Sequence, residues 1–225
     1  MPGQLVSFPA NGHTTSGYLA GDPAGARPVL VVQEYWGLVD HIKDVCDRFA
    51  KAGFVALAPD LYHGESAKSP DEAGKLFMAL NIAQAGKDLR GAAQYLLSRP
   101  GVASRRVPVL GFCMGGQLAL YAAQEYPEVI SAAIDFYGVH PKVTIEPGRV
   151  KVPVQFHFAE HDNSTSLPQA KALVASLTGA GVKVEAHFYD AEHAFFNDTR
   201  PRYNAECARL AWERTLAFLG GLDGH

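Results

Sequence analysis

The sequence predicts an α/β fold, a mostly parallel sheet of about eight strands flanked by helices. Short apolar runs alternate with longer helical patterns, as expected for strands joined by helical crossovers. Several of these runs are apolar enough to be covered on both faces. The chain has 225 residues, 48% apolar and 19% charged, which is typical of an ordinary globular domain. We therefore expect a single domain over residues 1–225.

Eight runs are predicted as strands. The first two, residues 5–8 and 14–20, form an N-terminal hairpin. The remaining six are 29–33, 54–58, 107–112, 129–136, 152–158 and 182–189. Their spacing leaves room for a helix in most of the connections, which favours parallel pairing.

Five helical segments are predicted between and after these strands. Asp40 is the expected N-cap of the first, which ends at Gly53. A long helix is expected over 70–98, a small-residue helix after Gly115-Gly116, another from Pro168 to about Gly179, and the last over 201–219. Residues 59–69 are the longest predicted irregular stretch, and such loops at strand ends commonly bind ligands.

Charge and composition exclude several classes of function. Net charge is −3, the pI is near 6.3 and the basic residues are scattered, which argues against nucleic acid as a partner. No apolar run approaches membrane-spanning length and the N-terminus lacks a signal-peptide pattern, so we expect no membrane partner and a cytoplasmic location. Three widely spaced cysteines without CxxC pairs indicate reduced thiols.

A glycine-rich segment carries the first chemical signal. Gly111-Phe112-Cys113-Met114-Gly115-Gly116 lies where a predicted strand turns into a helix. This is the pattern of a nucleophile elbow, G-x-nucleophile-x-G, in which a strained turn lifts the side chain above the sheet. A helix N-terminus also favours the thiolate of Cys113. By itself the pattern fits a small buried cysteine equally well.

An acid and a histidine follow in the order that this fold requires, each just beyond a later strand. Asp162 follows the strand that ends near Ala159, and His193 follows the strand that ends near Tyr189. The alternative is a turn-capping aspartate and a surface histidine. Asp190 and Glu192 are rival acids, but they are too near His193 in sequence to orient its ring from across a cleft.

At this point the sequence resembles the dienelactone hydrolase family (carboxymethylenebutenolidases) from Val29 to Leu219. The resemblance rests on four segments together: Gln33-Glu34-Tyr35-Trp36-Gly37, Ala58-Pro59-Asp60-Leu61-Tyr62, the elbow, and His193-Ala194-Phe195. It implies an α/β-hydrolase fold and a Cys-His-Asp triad of Cys113, His193 and Asp162. It further implies a supporting glutamate, Glu34, and an oxyanion hole formed by the N–H groups of Tyr35 and Met114.

The sequence departs from the family where substrate charge is bound. Members that act on dienelactone hold its carboxylate with arginines, one of them four residues beyond the histidine. That position is Asn197 here, and segment 69–75 contains two acids, Asp71 and Glu72, but no arginine. Arg200 or Arg202 could replace the charge. We therefore expect neutral esters or lactones to be preferred over carboxylate-bearing ones.

The predicted substrate-binding residues are Trp36, Tyr62, Phe195, Asn197 and Arg200. Core packing is an equally good explanation for the aromatic members. No cofactor and no metal are expected, because the nine histidines form no HExxH motif. His63 could reach the cleft, although a solvated loop histidine is the simpler interpretation.

The predicted function is hydrolysis of ester or lactone bonds of small molecules through a thioester on Cys113. One alternative is a general carboxylesterase or acyl transferase acting on neutral esters. Another is a thiol-based redox sensor. The argument against it is that Cys46 and Cys207 are predicted to be buried in helices, where neither can form a disulfide with an oxidised Cys113. Glu34 is predicted to support catalysis, and the chain is expected to be a monomer or weak homo-oligomer.

Overall fold

The computed structural model describes residues 3–24 and 26–222, and its centre is one eight-stranded sheet. The strand order is β1-β2-β4-β3-β5-β6-β7-β8. β1–β2 and β2–β4 pair antiparallel and all other pairs are parallel, which confirms the predicted sheet. The strands are β1 Gln4–Ala10, β2 His13–Ala20, β3 Arg27–Val32, β4 Phe54–Pro59, β5 Val107–Phe112, β6 Ile130–Phe136, β7 Val154–Ala159 and β8 Val184–Tyr189.

Helices cover both faces of this sheet. They are α1 Asp40–Lys51, α2 Pro70–Ala79, α3 Ile82–Leu97, α4 Met114–Glu125, α5 Leu167–Gly179 and α6 Ala205–Gly221, with a short 3₁₀ turn at Pro147–Arg149. Within residues 3–24 and 26–222, none of the helices has the length and apolar character needed to cross a membrane.

The strand side chains divide into two cores because successive residues of a strand point to opposite faces. In β3, Leu30 and Val32 join the core that also contains residues of α3 and α4. Val29 and Val31 join the core that contains residues of α1 and α6. All four side chains are fully buried, as expected for a parallel strand covered on both sides.

The predicted long helix over 70–98 is wrong, because the structure has two helices there. Leu80 leaves the helical backbone with ψ 126°, and the Asn81 side chain accepts a hydrogen bond from the Gln84 N–H at 3.1 Å to cap α3. Asparagine is a strong N-cap residue. The apolar pattern continues across the break and conceals it.

Two predicted helix starts also shift. Val39 has the N-cap conformation of α1, and Asp40 is the first helical residue, where its charge favours the positive helix end. The last helix begins at Ala205, because the Asn204 side chain accepts a hydrogen bond from the Cys207 N–H.

The three cysteines are free thiols in different surroundings. Cys46 is fully buried in α1, as predicted, whereas Cys207 on α6 is only half-buried. Cys113 lies between β5 and α4, where its side chain is half-buried.

The parallel strands β3 to β8 end at one edge of the sheet, and the predicted site residues follow these ends. The loop between β8 and α6, residues 190–204, is longer than the loop at 60–69, contrary to our expectation. The longer loop carries His193, Asn197 and Arg200, and it therefore supplies much of the site.

Candidate active site

Cys113 occupies a strained turn between β5 and α4. Its φ of 54° and ψ of −120° lie outside the regions that non-glycine residues ordinarily adopt. The strain is held by hydrogen bonds on both sides: the Cys113 N–H donates to the Phe136 carbonyl at 2.9 Å, and its own carbonyl accepts from Gly116 N–H at 3.0 Å and Val139 N–H at 3.2 Å. Backbone strain of this kind persists where the surroundings fix it, and such places are often functional.

Two glycines of the elbow permit close approach of backbone segments. A Cβ on Gly111 would overlap the Gly115 carbonyl group, and a Cβ on Gly115 would overlap the Val32 carbonyl oxygen. In both cases the obstacle is backbone that cannot move aside. The G-x-C-x-G spacing is therefore a steric requirement of packing α4 against β5 and β3.

His193 and Asp162 meet across two loops, as the sequence predicted. His193 Nδ1 lies 2.7 Å from Asp162 Oδ2. The other carboxylate oxygen, Oδ1, accepts the backbone N–H groups of Ser164 at 2.6 Å and Thr165 at 3.1 Å. Both oxygens of this buried carboxylate are thus engaged, which fixes its orientation and the ring it holds.

The two rival acids lie elsewhere. Asp190 is exposed, and its Oδ1 lies 2.7 Å from His161 Nε2. Glu192 is exposed on the loop surface. Asp162 is therefore the acid in contact with His193.

The surroundings of His193 favour its charged form. Burial by itself lowers the pKa of His193, but the hydrogen bonds to Asp162 and Cys113 and the negative charges of these two groups raise its pKa to about 10. Asp162 thus holds Nδ1 of the ring, and His193 shares the cavity wall with the Cys113 thiol. An imidazole placed in this way can pass a proton to and from the sulfur.

Glu34 is buried rather than solvated. It is 2% exposed, and its Oε2 accepts a hydrogen bond from Asn197 Nδ2 at 2.7 Å. Oε1 has no hydrogen-bond donor among the described residues. Burial raises the pKa of Glu34, although the Asn197 hydrogen bond and the charges of His193 and Arg200 oppose that rise.

The two N–H groups implied as an oxyanion hole lie at the ends of β3 and β5. Met114 is the first residue of α4, where a helical N–H has no acceptor within its own helix. Within the described part of the chain, the Tyr35 N–H makes no backbone hydrogen bond. Both donors are therefore available to a bound oxygen.

A cavity of about 680 Å³ opens at this edge of the sheet. Its size is in the range of small-molecule sites. Cys113, His193 and Glu34 lie on its wall. The other lining residues are Tyr35, Trp36, Pro70, Gly74, Phe77, Val139, Pro141, Ser164, Ala194, Arg200, Pro201 and Arg202.

Three predicted substrate-binding residues lie behind this wall, which corrects their expected direct contact with a ligand. The buried Tyr62 hydroxyl donates to the Tyr35 carbonyl at 3.3 Å and lies 3.3 Å from the Met114 sulfur. Phe195 is fully buried, and Asn197 is 1% exposed and bound to Glu34. Tyr62 and Asn197 therefore contact residues of the site instead of lining it, and Phe195 packs against Tyr137 and Tyr189.

Trp36 and Arg200 do line the cavity, as predicted. The Arg200 guanidinium lies 3.8 Å from the centre of the Trp36 ring, a cation–π contact. Its Nε is buried and has no hydrogen-bond acceptor among the described residues.

The cavity wall carries positive charge that the local sequence pattern concealed. Arg200 and Arg202 both line it, whereas Asp71 and Glu72 are exposed on the first turn of α2 and are not on the wall. These two acids are therefore not placed to repel a carboxylate bound in the cavity.

Sequence reasoning missed the contribution of α2 and of the segment after β6. Gly74 and Phe77 line the cavity from α2, and Val139 and Pro141 line it from the β6 side. The position just past a parallel strand could have identified Val139. Nothing local identifies Phe77, because its contact depends on how α2 folds over the sheet edge.

Comparisons with known proteins agree on one family. A model described as "Dienelactone hydrolase family" matches residues 15–222. "Protein usf" of Aquifex pyrophilus is 36% identical over 224 residues, covering 96% of this chain and 97% of that protein. A "putative carboxymethylenebutenolidase" of Aquifex aeolicus is 34% identical over 224 residues, covering 96% and 97%. The crystal structure of a "putative dienelactone hydrolase" from Klebsiella pneumoniae has a TM-score of 0.87 at 27% identity, covering 99% of this chain and 98% of that one.

Proposed function

Because the chain belongs to the dienelactone hydrolase family, and is thus a hydrolase acting on esters, we propose that Cys113, His193 and Asp162 form its catalytic triad. The observation that carries this proposal is the 2.7 Å contact between His193 Nδ1 and Asp162 Oδ2, with Cys113 and His193 on the wall of the same cavity. Cys113 and His193 line the cavity, the buried Asp162 contacts His193, and the reaction is hydrolysis of small ester or lactone bonds.

In the first half-reaction the Cys113 sulfur attacks the carbonyl carbon of the substrate. The N–H groups of Tyr35 and Met114 hold the oxygen that becomes negative. As the tetrahedral intermediate collapses, the C–O bond to the leaving oxygen breaks and His193 gives that oxygen its proton. The acyl group is then a thioester on Cys113, and a lactone keeps its new hydroxyl attached to the acyl chain.

In the second half-reaction water replaces the leaving alcohol. His193 removes a proton from water, the resulting hydroxide attacks the thioester carbon, and the C–S bond breaks to return the thiolate. Asp162 keeps Nδ1 protonated and directs Nε2 toward the reacting atoms. Two backbone N–H groups donate hydrogen bonds to Asp162 Oδ1 and support this role, because they keep the carboxylate from rotating.

Glu34 is proposed to support the thiol. A buried carboxylate at the same cavity wall can take the thiol proton when substrate arrives, and it disfavours a permanent thiolate by like-charge repulsion. The free Oε1 and the raised pKa of Glu34, caused by burial, support a group that exchanges a proton. Asn197 holds the other oxygen without supplying a compensating charge.

The substrate class is proposed to include esters and lactones that carry a carboxylate. Arg200 and Arg202 on the cavity wall support this choice over the neutral substrates expected from sequence. An unpaired carboxylate entering an apolar cavity would cost several kcal/mol, and a guanidinium offsets much of that cost. Arginine suits the purpose because its planar fork pairs with both carboxylate oxygens.

Covalent trapping tests the triad. A slowly hydrolysed aryl ester should add one acyl mass to the wild-type protein, located at Cys113 by peptide mass spectrometry. Cys113→Ala should lose both the adduct and turnover while keeping its circular dichroism, and Cys113→Ser should be strongly impaired because a hydroxyl is far less acidic than a thiol. Turnover at the wild-type rate in the alanine variant would refute the triad.

A further inference from the structure

A second group of histidines lies outside the cavity described above. His13 begins β2, His63 lies in the loop after β4, and Asp88 is on α3. We call these three residues the His-His-Asp cluster. Three elements distant in the chain therefore bring two imidazoles and one carboxylate together, with donor atoms all within 4.8 Å of one another.

The two imidazoles approach different oxygens of the same carboxylate. His13 Nε2 lies 3.2 Å from Asp88 Oδ1, and His63 Nε2 lies 3.2 Å from Asp88 Oδ2. Donor atoms around a tetrahedral zinc ion with bonds near 2.1 Å are separated by about 3.4 Å. The two nitrogen–oxygen distances in the cluster are close to that separation.

Several polar groups surround the single Nε2 of His13. It faces Asp88 Oδ1, Thr15 Oγ1 at 3.3 Å and Gln84 Nε2 at 3.5 Å. The Gln84 amide also donates to Asp88 Oδ1 at 3.0 Å. One imidazole nitrogen makes one hydrogen bond, so His13 Nε2 pairs with only one of these neighbours. A cation bound by this nitrogen and by the Asp88 carboxylate can replace the His13–Asp88 contact, while Gln84 keeps its own bond.

Burial and exposure divide the cluster in a way that suits ion binding. The Asp88 side chain is fully buried, and its Oδ2 receives no well-aligned hydrogen bond from the described residues despite its closeness to His63. The His13 and His63 side chains are 37% and 43% exposed. An ion can therefore enter from solvent, keep a water ligand and bind a carboxylate oriented from inside the fold.

We propose that His13, His63 and Asp88 bind one divalent transition-metal ion of the zinc type. Two neutral imidazoles and one carboxylate suit zinc, cobalt, nickel or copper, whereas magnesium and calcium prefer all-oxygen sites. The Thr15 hydroxyl, close to both rings, or water completes the shell. This site revises the sequence-based expectation that the chain binds no metal, which rested on the absence of HExxH.

The ion would act as a structural clip. It joins the N-terminal hairpin, the 60–64 loop and α3, and so it stabilises the folded state through binding that the unfolded chain lacks. The same loop carries Tyr62, whose hydroxyl contacts Tyr35 and Met114 behind the cavity wall. Stability is therefore the primary readout, and activity is expected to change little.

The test uses chelator-treated full-length protein carrying Cys113→Ala, which removes the thiol of the cavity as a competing ligand. Calorimetric titration with zinc chloride should give one site per chain, with a Kd of about 1 µM or below, as expected for three protein ligands. Magnesium chloride should give no binding, because magnesium prefers oxygen ligands. Saturating zinc should raise Tm by several degrees. His13→Ala and His63→Ala should each weaken zinc binding at least tenfold and abolish the Tm rise.

His161→Ala is the matched control, because His161 is also an exposed imidazole 2.7 Å from a carboxylate, that of Asp190. It should bind zinc as the parent does. The His13 and His63 side chains are half-exposed, so both alanine variants should fold, and circular dichroism verifies this. Asp88 is buried, so Asp88→Asn serves only as confirmation. Absence of stoichiometric zinc binding, or binding retained in the His13→Ala/His63→Ala double variant, would overturn the proposal and leave the cluster as an ion-paired network.

Discussion

Two buried carboxylates of this chain face imidazoles, and they differ in how completely they are occupied. Asp162 contacts one ring with Oδ2 and receives two backbone N–H groups on Oδ1. Asp88 contacts a different ring with each oxygen, and its Oδ2 receives no well-aligned hydrogen bond from the described residues.

The contacts around each carboxylate suit it to a different task, proton chemistry for Asp162 and cation binding for Asp88. A carboxylate with both oxygens fixed holds one imidazole in one orientation, which a catalytic base needs. A carboxylate shared by two half-exposed rings fixes neither one, and from inside the fold it directs its lone pairs toward both rings. We therefore propose different chemistries for the same pair of residue types, according to the number of backbone donors nearby.

Asp162→Asn tests this contrast with the largest expected effect. The amide keeps the shape but lacks the negative charge that supports the His193 imidazolium, so kcat should fall about 10³-fold, a barrier increase of about 4 kcal/mol. Asp88→Asn is the matched control and should change kcat by less than about twofold. Steady-state hydrolysis of an aryl ester measures both, and equal losses in the two variants would erase the distinction.

Asp135 is a third buried carboxyl, placed beside the elbow helix. It pairs with Gly111 across the sheet, and burial raises its pKa to about 8, only partly offset by the Gly138 N–H and the charge of His193. A raised acid pKa means that the native state binds more protons than the unfolded chain. This contribution to stability is therefore greatest below pH 4 and declines as pH rises toward 8.

Asp135→Asn should remove that decline. At pH 8 the variant should be more stable than wild type by about 2 to 4 kcal/mol, and near pH 4 the two should differ little. Urea unfolding at both pH values gives the comparison. A stability difference that does not depend on pH would show that Asp135 titrates normally in the folded protein.

Glu34→Gln tests a carboxylate whose partner is an amide instead of an imidazole. The amide keeps the shape and removes the base, so kcat should fall at least about tenfold, or about 1.4 kcal/mol. Removing the negative charge should also speed alkylation of Cys113 by iodoacetamide below pH 7, because the thiolate is then less repelled. Unchanged kcat across pH 6 to 9 together with unchanged alkylation rates would leave Glu34 without a catalytic role.

Arg200→Gln carries the smallest expected effect and concerns specificity alone. It should lower kcat/KM for a carboxylate-bearing lactone such as dienelactone about fivefold and leave a neutral aryl ester within about twofold. Arg209→Gln, on the outer face of α6 and paired with Glu213, is the control and should alter neither substrate. A matching loss for both substrates would mean that Arg200 only packs against Trp36.

The positions of the proposed nucleophile and its partners were predictable from sequence because their signals are local. The elbow needs glycines at fixed offsets from Cys113, since backbone segments touch there. Asp162 and His193 each follow a strand, and the ends of parallel strands share one edge. These rules relate neighbours in the chain, and they hold without knowledge of how distant elements pack.

The break between α2 and α3 and part of the cavity wall escaped the same reasoning. The apolar pattern continues through Leu80 into Ile82, and only the capping bond of Asn81 reveals the break. Phe77 reaches the cavity because α2 folds over the sheet edge, and its side chain belongs to no motif.

Local sequence features were enough to specify the α/β architecture, the position of the thiol and the order of the acid and histidine, because hydrophobic periodicity and turn sterics act over a few residues. Only the packed fold shows which carboxylate oxygens are occupied, that Arg200 faces the cavity, and that His13, His63 and Asp88 meet. Those outcomes depend on contacts between residues tens of positions apart. Such contacts follow from the packing of whole elements, which no local pattern specifies.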